Sequence, residues 1–185
     1  MNDNDASIKM SPSSRGISQS HRRCLLQPTE ISYGGFKFLI LDMPTQSALP
    51  SFIDVLRSHE CRDLVRVCEA HYSTELLTAA DINVIDLPFS DGSPPPPTVV
   101  HQWCDLLKNR LPRTCVAVHC VAGLGRAPVL VAIALMECGM KWHDAVELIR
   151  QKRRGAFNTR QLGFLEKYKA KSRLREKSSK KCIIV

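Results

Sequence analysis

Hydrophobic positions along the chain switch between a period of two and a period near 3.6, and the switching predicts the architecture. Ile31-Ser32-Tyr33, the pair Gly34-Gly35 and the run Phe36 to Leu41 read as a hairpin between Glu30 and Leu41. Met43-Pro44-Thr45 breaks it. Phe52, Ile53, Val55 and Leu56 then recur at helical spacing, predicting a helix from about Ser47 to Ser58. Asp63 to Cys68 reads as a strand, Tyr72 to Ala80 as a connector with a single helical turn, and Ile82 to Leu87 as another strand.

Val99, Val100, Trp103, Leu106 and Leu107 form one face of a helix over Thr98 to Arg110. Cys115 to Val118 is short, apolar and β-branched, as a buried strand would be. Val129 to Met136 is apolar, Ala-rich and long enough for a buried helix, with Gly139 after Cys138 as its stop. Ala145, Val146, Leu148 and Ile149 define a helix over Trp142 to Arg153. Asn158 and Gln161 form a capping pair that opens a last helix through Leu162, Leu165 and Tyr168. Strands alternating with helices imply an α/β fold, a mostly parallel sheet flanked by helices on both faces, with the site at a strand's C-terminal end. At 185 residues this is one domain. Residues 1–27 are rich in Ser, Asn and charge and are expected to be disordered; the domain is expected at 28–170 and a polybasic tail at 171–185.

Charge changes the picture in one place. The formal net charge is +8, but from Arg150 onward there are 13 basic and 2 acidic residues, so the remainder sums to about −3. The basic excess belongs to the C-terminal part and points to an anionic surface as partner, either a membrane or nucleic acid. No run reaches transmembrane length and the polar N-terminus has no signal-peptide core, so synthesis in the cytosol is expected. Eight cysteines without a C-x-x-C pair suggest neither a disulfide scaffold nor a zinc site; most are expected to be reduced, several of them in the core.

The candidate chemistry lies in His119-Cys120-Val121-Ala122-Gly123-Leu124-Gly125-Arg126-Ala127-Pro128, a cysteine and an arginine five residues apart between a strand and a helix. Loop N–H groups and a helix start converge there to cradle an anion. A thiol in that setting should lose its proton near neutral pH, making Cys120 a candidate nucleophile. Arg126 offers a planar fork for two phosphoryl oxygens. Asp91 sits in the Pro- and Gly-bounded segment Pro88 to Pro97, which fits a mobile lid carrying a general acid.

His119 to Pro128, together with Met140 and Ile149 to Asn158, closely resembles the phosphatase of regenerating liver family, the 4A class of protein tyrosine phosphatases. The resemblance runs from about Pro28 to Val185. It implies the single-domain fold of cysteine-dependent phosphatases, with Cys120 as nucleophile, Val121 to Arg126 as the phosphate loop and Asp91 as general acid. Neither metal nor cofactor is implied, because the loop amides and Arg126 supply the positive charge. Family members usually read Trp-Pro-Phe-Asp-Asp-Gly at the lid; this chain has Leu87 for the Trp and Ser90 for the first Asp. Ala127 stands where most cysteine-dependent phosphatases carry Ser or Thr, as is typical of the family, so slow turnover is expected.

Further implications follow from the same resemblance. Cys68 matches a cysteine that forms a reversible disulfide with the nucleophile, here Cys120. Cys182-Ile183-Ile184-Val185 is a C-a-a-X box, implying prenylation at Cys182 and methylation, with the basic stretch from Lys169 as the second membrane signal. The implied location is the cytoplasmic face of the plasma membrane and endosomes, or the cytoplasm and nucleus without the lipid. Implied partners are phosphotyrosine proteins and the CBS-domain region of cyclin-M-type magnesium transporters, whose acidic side chain occupies the pocket in a rival, binding-module reading. Family members can also associate as homotrimers. The sequence leaves phosphotyrosine, phosphoserine and phosphoinositide open as substrates, and farnesyl or geranylgeranyl open as the lipid.

Overall fold

The computed structural model describes residues 28–110 and 114–175. Its sheet has five strands in the order β1-β2-β5-β3-β4: β1 Thr29–Tyr33, β2 Phe36–Asp42, β3 Cys61–Arg66, β4 Asn83–Asp86 and β5 Cys115–Cys120. Only the β1–β2 hairpin is antiparallel. Its two-residue turn puts Gly34 and Gly35 at φ of +57° and +79°, the left-handed torsions that a twist-matched hairpin turn needs.

Helices cover both faces. A 3-10 turn at Gln46–Ala48 leads into α1 Leu49–Ser58, which with α2 Glu75–Ala79 covers one side. On the other lie α3 Pro97–Lys108, α4 Arg126–Glu137, α5 Trp142–Lys152 and α6 Thr159–Lys167. Strand alternation divides the core accordingly. Phe38, Ile40, Val116 and Val118 pack with Trp103 and α4, whereas Leu39, Leu41 and Ala117 pack with Phe52 and Leu56 of α1.

β5 is the central strand, paired with β2 and β3, and all six of its residues are buried. All twelve residues of α4 are buried as well. The turn between them is therefore held by the two most enclosed elements of the molecule, at the C-terminal ends of parallel strands where α/β sheets bind ligands. The expected strands and helices are all present. The capping pair is complete: Asn158 Oδ1 accepts from Gln161 N at 2.8 Å and Gln161 Oε1 accepts from Asn158 N at 3.1 Å.

Cys61 and Cys115, on facing rungs of β3 and β5 with Cα atoms 4.6 Å apart, form a disulfide, while Cys68, Cys104, Cys120 and Cys138 are free thiols. Pairing across adjacent strands, 54 residues apart in sequence, leaves no local pattern to read. Packed chain also continues beyond residue 170: Leu174 is buried and its N–H donates to Glu137 O at 3.3 Å. Residues 1–27, and Cys182 with its box, lie outside the described residues.

Candidate active site

Each carbonyl from Val121 to Gly125 is bound away from the loop's centre. Val121 O accepts from Met43 N at 3.1 Å, Leu124 O from Phe157 N at 2.8 Å and Gly125 O from Val129 N at 3.1 Å. Ala122 O and Gly123 O both accept from Arg153, at 3.1 and 2.6 Å. A trans peptide is planar, so its N–H points opposite to its C=O. Five outward carbonyls therefore turn the N–H groups of Ala122 to Arg126 toward one centre, beside Cys120 at the end of β5. Gly123 has φ +63°, and a Cβ there would lie 2.7 Å from Leu41 O and against the Arg153 guanidinium. No other residue fits that position.

Arg153 gives the loop its rear support. It is 9% exposed and also donates to Thr29 Oγ1 at 3.0 Å and pairs closely with Asp42. One guanidinium thus joins the hairpin, the end of β2 and two loop carbonyls. Sequence reading placed Arg153 at the end of a basic amphipathic helix and gave it no task. Its partners stand 30 to 124 residues away, so only a buried arginine in an otherwise exposed basic run could have hinted at it.

Arg126, the first residue of α4, is 7% exposed. Its Nη1 donates to Phe89 O at 3.3 Å. Its Nε lies 3.0 Å from Asp91 Oδ1, close enough for an ion pair. The N–H is not aimed at that oxygen, and Nε is a buried donor without a hydrogen bond among the described residues. An oxyanion in the loop would satisfy it. Asp91 is mostly exposed and faces the pocket. That pocket, about 320 Å³, is lined by Cys120, the loop, Asp91, Phe157, Asn158 and Gln161.

The segment carrying Asp91 is tied down at both ends. Leu87, in the position of the family's Trp, is buried and its N–H donates to Arg66 O at 2.9 Å. Beyond Asp91, Asn158 Nδ2 donates to Gly92 O at 3.0 Å and Gln161 Nε2 reaches Ser93 O at 3.5 Å. The capping pair of α6 therefore also holds the lid.

Beneath the loop lies a buried polar chain. Arg66, paired with Asp86 at 2.6 and 2.7 Å, sits 5.2 Å from the centre of the Tyr72 ring. The Tyr72 hydroxyl is 2.6 Å from His119 Nε2, and His119 Nδ1 faces Cys120 O at 3.4 Å and Cys68 Sγ at 4.0 Å. Burial lowers the His119 pKa to about 4, so the ring is neutral at pH 7. Burial also raises the pKa values of Tyr72 and Cys68. Tyr72 therefore keeps its proton; because Nδ1 faces the acceptor Cys120 O, the ring proton belongs on Nδ1 and the Tyr72 hydroxyl donates to Nε2. Cys68 and Cys120 are separate thiols, and Cys68 lines a second pocket that shares Asp91 and Val121 with the first. The predicted Cys120, Asp91 and loop residues Val121, Ala122, Leu124 and Gly125 line the first pocket, whereas Arg126 lines the second together with Cys68, Asp91 and Val121.

A family model described as "DSP-PTPase phosphatase fused to NAD+ Kinase" matches residues 46–167. Protein tyrosine phosphatase type IVA 3 of Bos taurus is 56% identical over 153 residues, which are 81% of this chain and 88% of that protein. The protein named PRL-1 phosphatase of Drosophila melanogaster is 52% identical over 157 residues, 83% of this chain and 89% of that one. Among solved structures, a protein tyrosine phosphatase from Leishmania major is 41% identical with a TM-score of 0.72, covering 78% of this chain and 99% of that one.

Proposed function

Because the chain belongs to the type IVA protein tyrosine phosphatases, we propose that it hydrolyses phosphotyrosine on proteins through a phosphocysteine, slowly. The observation that carries this reading is the set of five outward-bound carbonyls around Cys120. The Cys120 thiolate attacks phosphorus, and the bond to the phenolic oxygen breaks. Loop amides and Arg126 hold the three non-bridging oxygens as charge develops on them. Asp91 gives its proton to the departing oxygen. Water then attacks the phosphocysteine, Asp91 takes the proton, and phosphate leaves with the Cys120 thiolate restored.

Slow turnover rests on Ala127, which is fully buried and has no hydroxyl to offer the departing thiolate. The test is rapid-mixing kinetics with a chromogenic aryl phosphate. We expect a burst of one phenol per enzyme and a poor steady state, and a steady state raised about tenfold or more in Ala127→Ser. Rapid linear release without a burst would refute it.

A second reading is favoured by the pocket rim. Val121 and Leu124 are 53% and 40% exposed, and Arg126 Nε is unsatisfied. An acidic side chain flanked by apolar groups suits that mouth, as a CBS-domain magnesium transporter of the cyclin-M type would present. If Asp91→Ala abolishes the cellular effect while partner binding persists, the binding reading alone is insufficient.

Regulation and placement belong to the same proposal. A Cys68–Cys120 disulfide would close the site to phosphate and to a partner alike. A prenyl group on Cys182, aided by the basic tail, would hold the chain at the cytoplasmic face of the plasma membrane and endosomes, leaving unprenylated chain in the cytoplasm or nucleus. Association as a homotrimer is compatible with either reading.

A further inference from the structure

On the side of α3 and α6 away from Cys120 lies a cleft of about 730 Å³. Pro97, Val100, Phe164 and the ring of Tyr168 make an apolar lining, and Lys169 and Lys171 stand on its rim. It is larger than the phosphate pocket and shares no residue with it.

Charges around the cleft are sorted. Arg173 is spent on Glu137 at 2.9 Å, and His101 on Asp105 at 3.2 Å. The ammonium groups of Lys169 and Lys171 make no ion pair among the described residues, and both residues are exposed. The backbone that carries them is fixed, since Lys171 N and Arg173 N donate to the buried Glu137 carboxylate at 3.1 and 2.8 Å. Two free cations are therefore held in place at the mouth of an apolar trough.

We propose that this cleft seats one acyl chain of an anionic phospholipid, with the headgroup phosphate between Lys169 and Lys171. The proposal rests on the membrane anchoring inferred above. Its occupant is chosen by charge and by reach. From Lys167 onward there are eight basic residues and one acidic residue, so the same sign continues beyond the cleft, as a broad anionic surface requires. Cys182 follows Arg175 by seven residues, at most about 25 Å of extended chain, so a lipid there keeps the cleft near the headgroups. The chain's own prenyl group is a poorer occupant, because it is uncharged and Lys177, Lys180 and Lys181 would approach like charges. With the trough filled, the membrane would grip a rigid face of the domain as well as its tail.

The test uses the full chain made without prenylation, and phosphatidylcholine vesicles with or without phosphatidylserine carrying a nitroxide on one acyl chain. We expect serine-lipid-dependent partitioning, with paramagnetic broadening of the Val100 methyl and Phe164 ring signals. Lys169→Gln with Lys171→Gln should lower partitioning by about 25-fold, near fivefold per lysine. Phe164→Gln should remove the Val100 broadening while the melting curve stays cooperative. Broadening confined to residues beyond Arg175, with partitioning unchanged in Phe164→Gln, would overturn the cleft and leave the anchor standing. Absence of a prenyl mass at Cys182 in chain from eukaryotic cells would instead sink the anchor, whatever the vesicles show. If an acidic, leucine-rich peptide shifts the cleft signals and vesicles do not, the cleft is a peptide site and the lipid assignment is wrong.

Discussion

The two ends of α4 both carry a buried charge set against the helix dipole, and the protein treats them in opposite ways. Arg126 adds a cation to the partially positive N-terminus; Glu137 adds an anion to the partially negative C-terminus. Glu137 is fully buried, yet Tyr168 Oη, the amides of Lys171 and Arg173, and the Arg173 guanidinium all donate to it at 2.6 to 3.1 Å. Burial alone would raise its pKa, but those donors outweigh burial and the pKa is lowered. Arg126 has one hydrogen bond, from Nη1 to Phe89 O, and an ion-pair contact with the mostly exposed Asp91, and it keeps a buried Nε–H without a hydrogen bond among the described residues. One end is completed from within and clamps the following chain to the body. The other is left incomplete, with the Nε donor that the proposed oxyanion would satisfy.

The largest way to break this comparison is Arg126→Met. We expect kcat/KM to fall about 10³-fold and the urea midpoint to hold or rise, because a charge opposed to the dipole is gone. If stability collapses instead, Arg126 is a structural ion like Glu137. The converse change, Glu137→Gln, should cost about 3 kcal/mol in urea unfolding, since it strands the Arg173 charge. The burst amplitude should stay at one per enzyme. A lost burst with intact stability would mean that the far end of α4 reaches the chemistry.

Acid titration should separate the two ends further. The folded pKa of His119, about 4, lies below its ordinary 6.5, so the unfolded chain binds the extra proton. Its contribution is complete above pH 6.5 and is lost as pH falls toward 4, up to about 3 kcal/mol. Glu137 is also depressed, so its share persists until the pH drops below the ordinary carboxylate range. Stability measured against pH should therefore decline first through His119, under the phosphate loop, and later through Glu137. His119→Gln should flatten the upper limb alone; an unchanged upper limb would assign that decline to another group.

Sequence made most of this legible where the cause is local. Hydrophobic period placed the strands and helices; the Gly34-Gly35 turn, the Asn158–Gln161 cap and the Cys120-to-Arg126 loop each announce themselves within ten residues. What stayed hidden depends on partners far along the chain. Arg153 reads as one more cation at a helix end, and nothing local singles out Glu137. The Cys61–Cys115 link crosses adjacent parallel strands. Each is a buried polar or sulfur group whose meaning is its partner, and pattern along the chain carries no information about partners.

Asn158 spends both ends of one side-chain amide, its oxygen on the first turn of α6 and its nitrogen on the segment beside Asp91. Fraying at that turn and swinging of that segment therefore share a fastener. The exchange rate of the Gln161 amide proton with deuterium then doubles as a clock for how often the pocket opens, readable with no substrate in the tube.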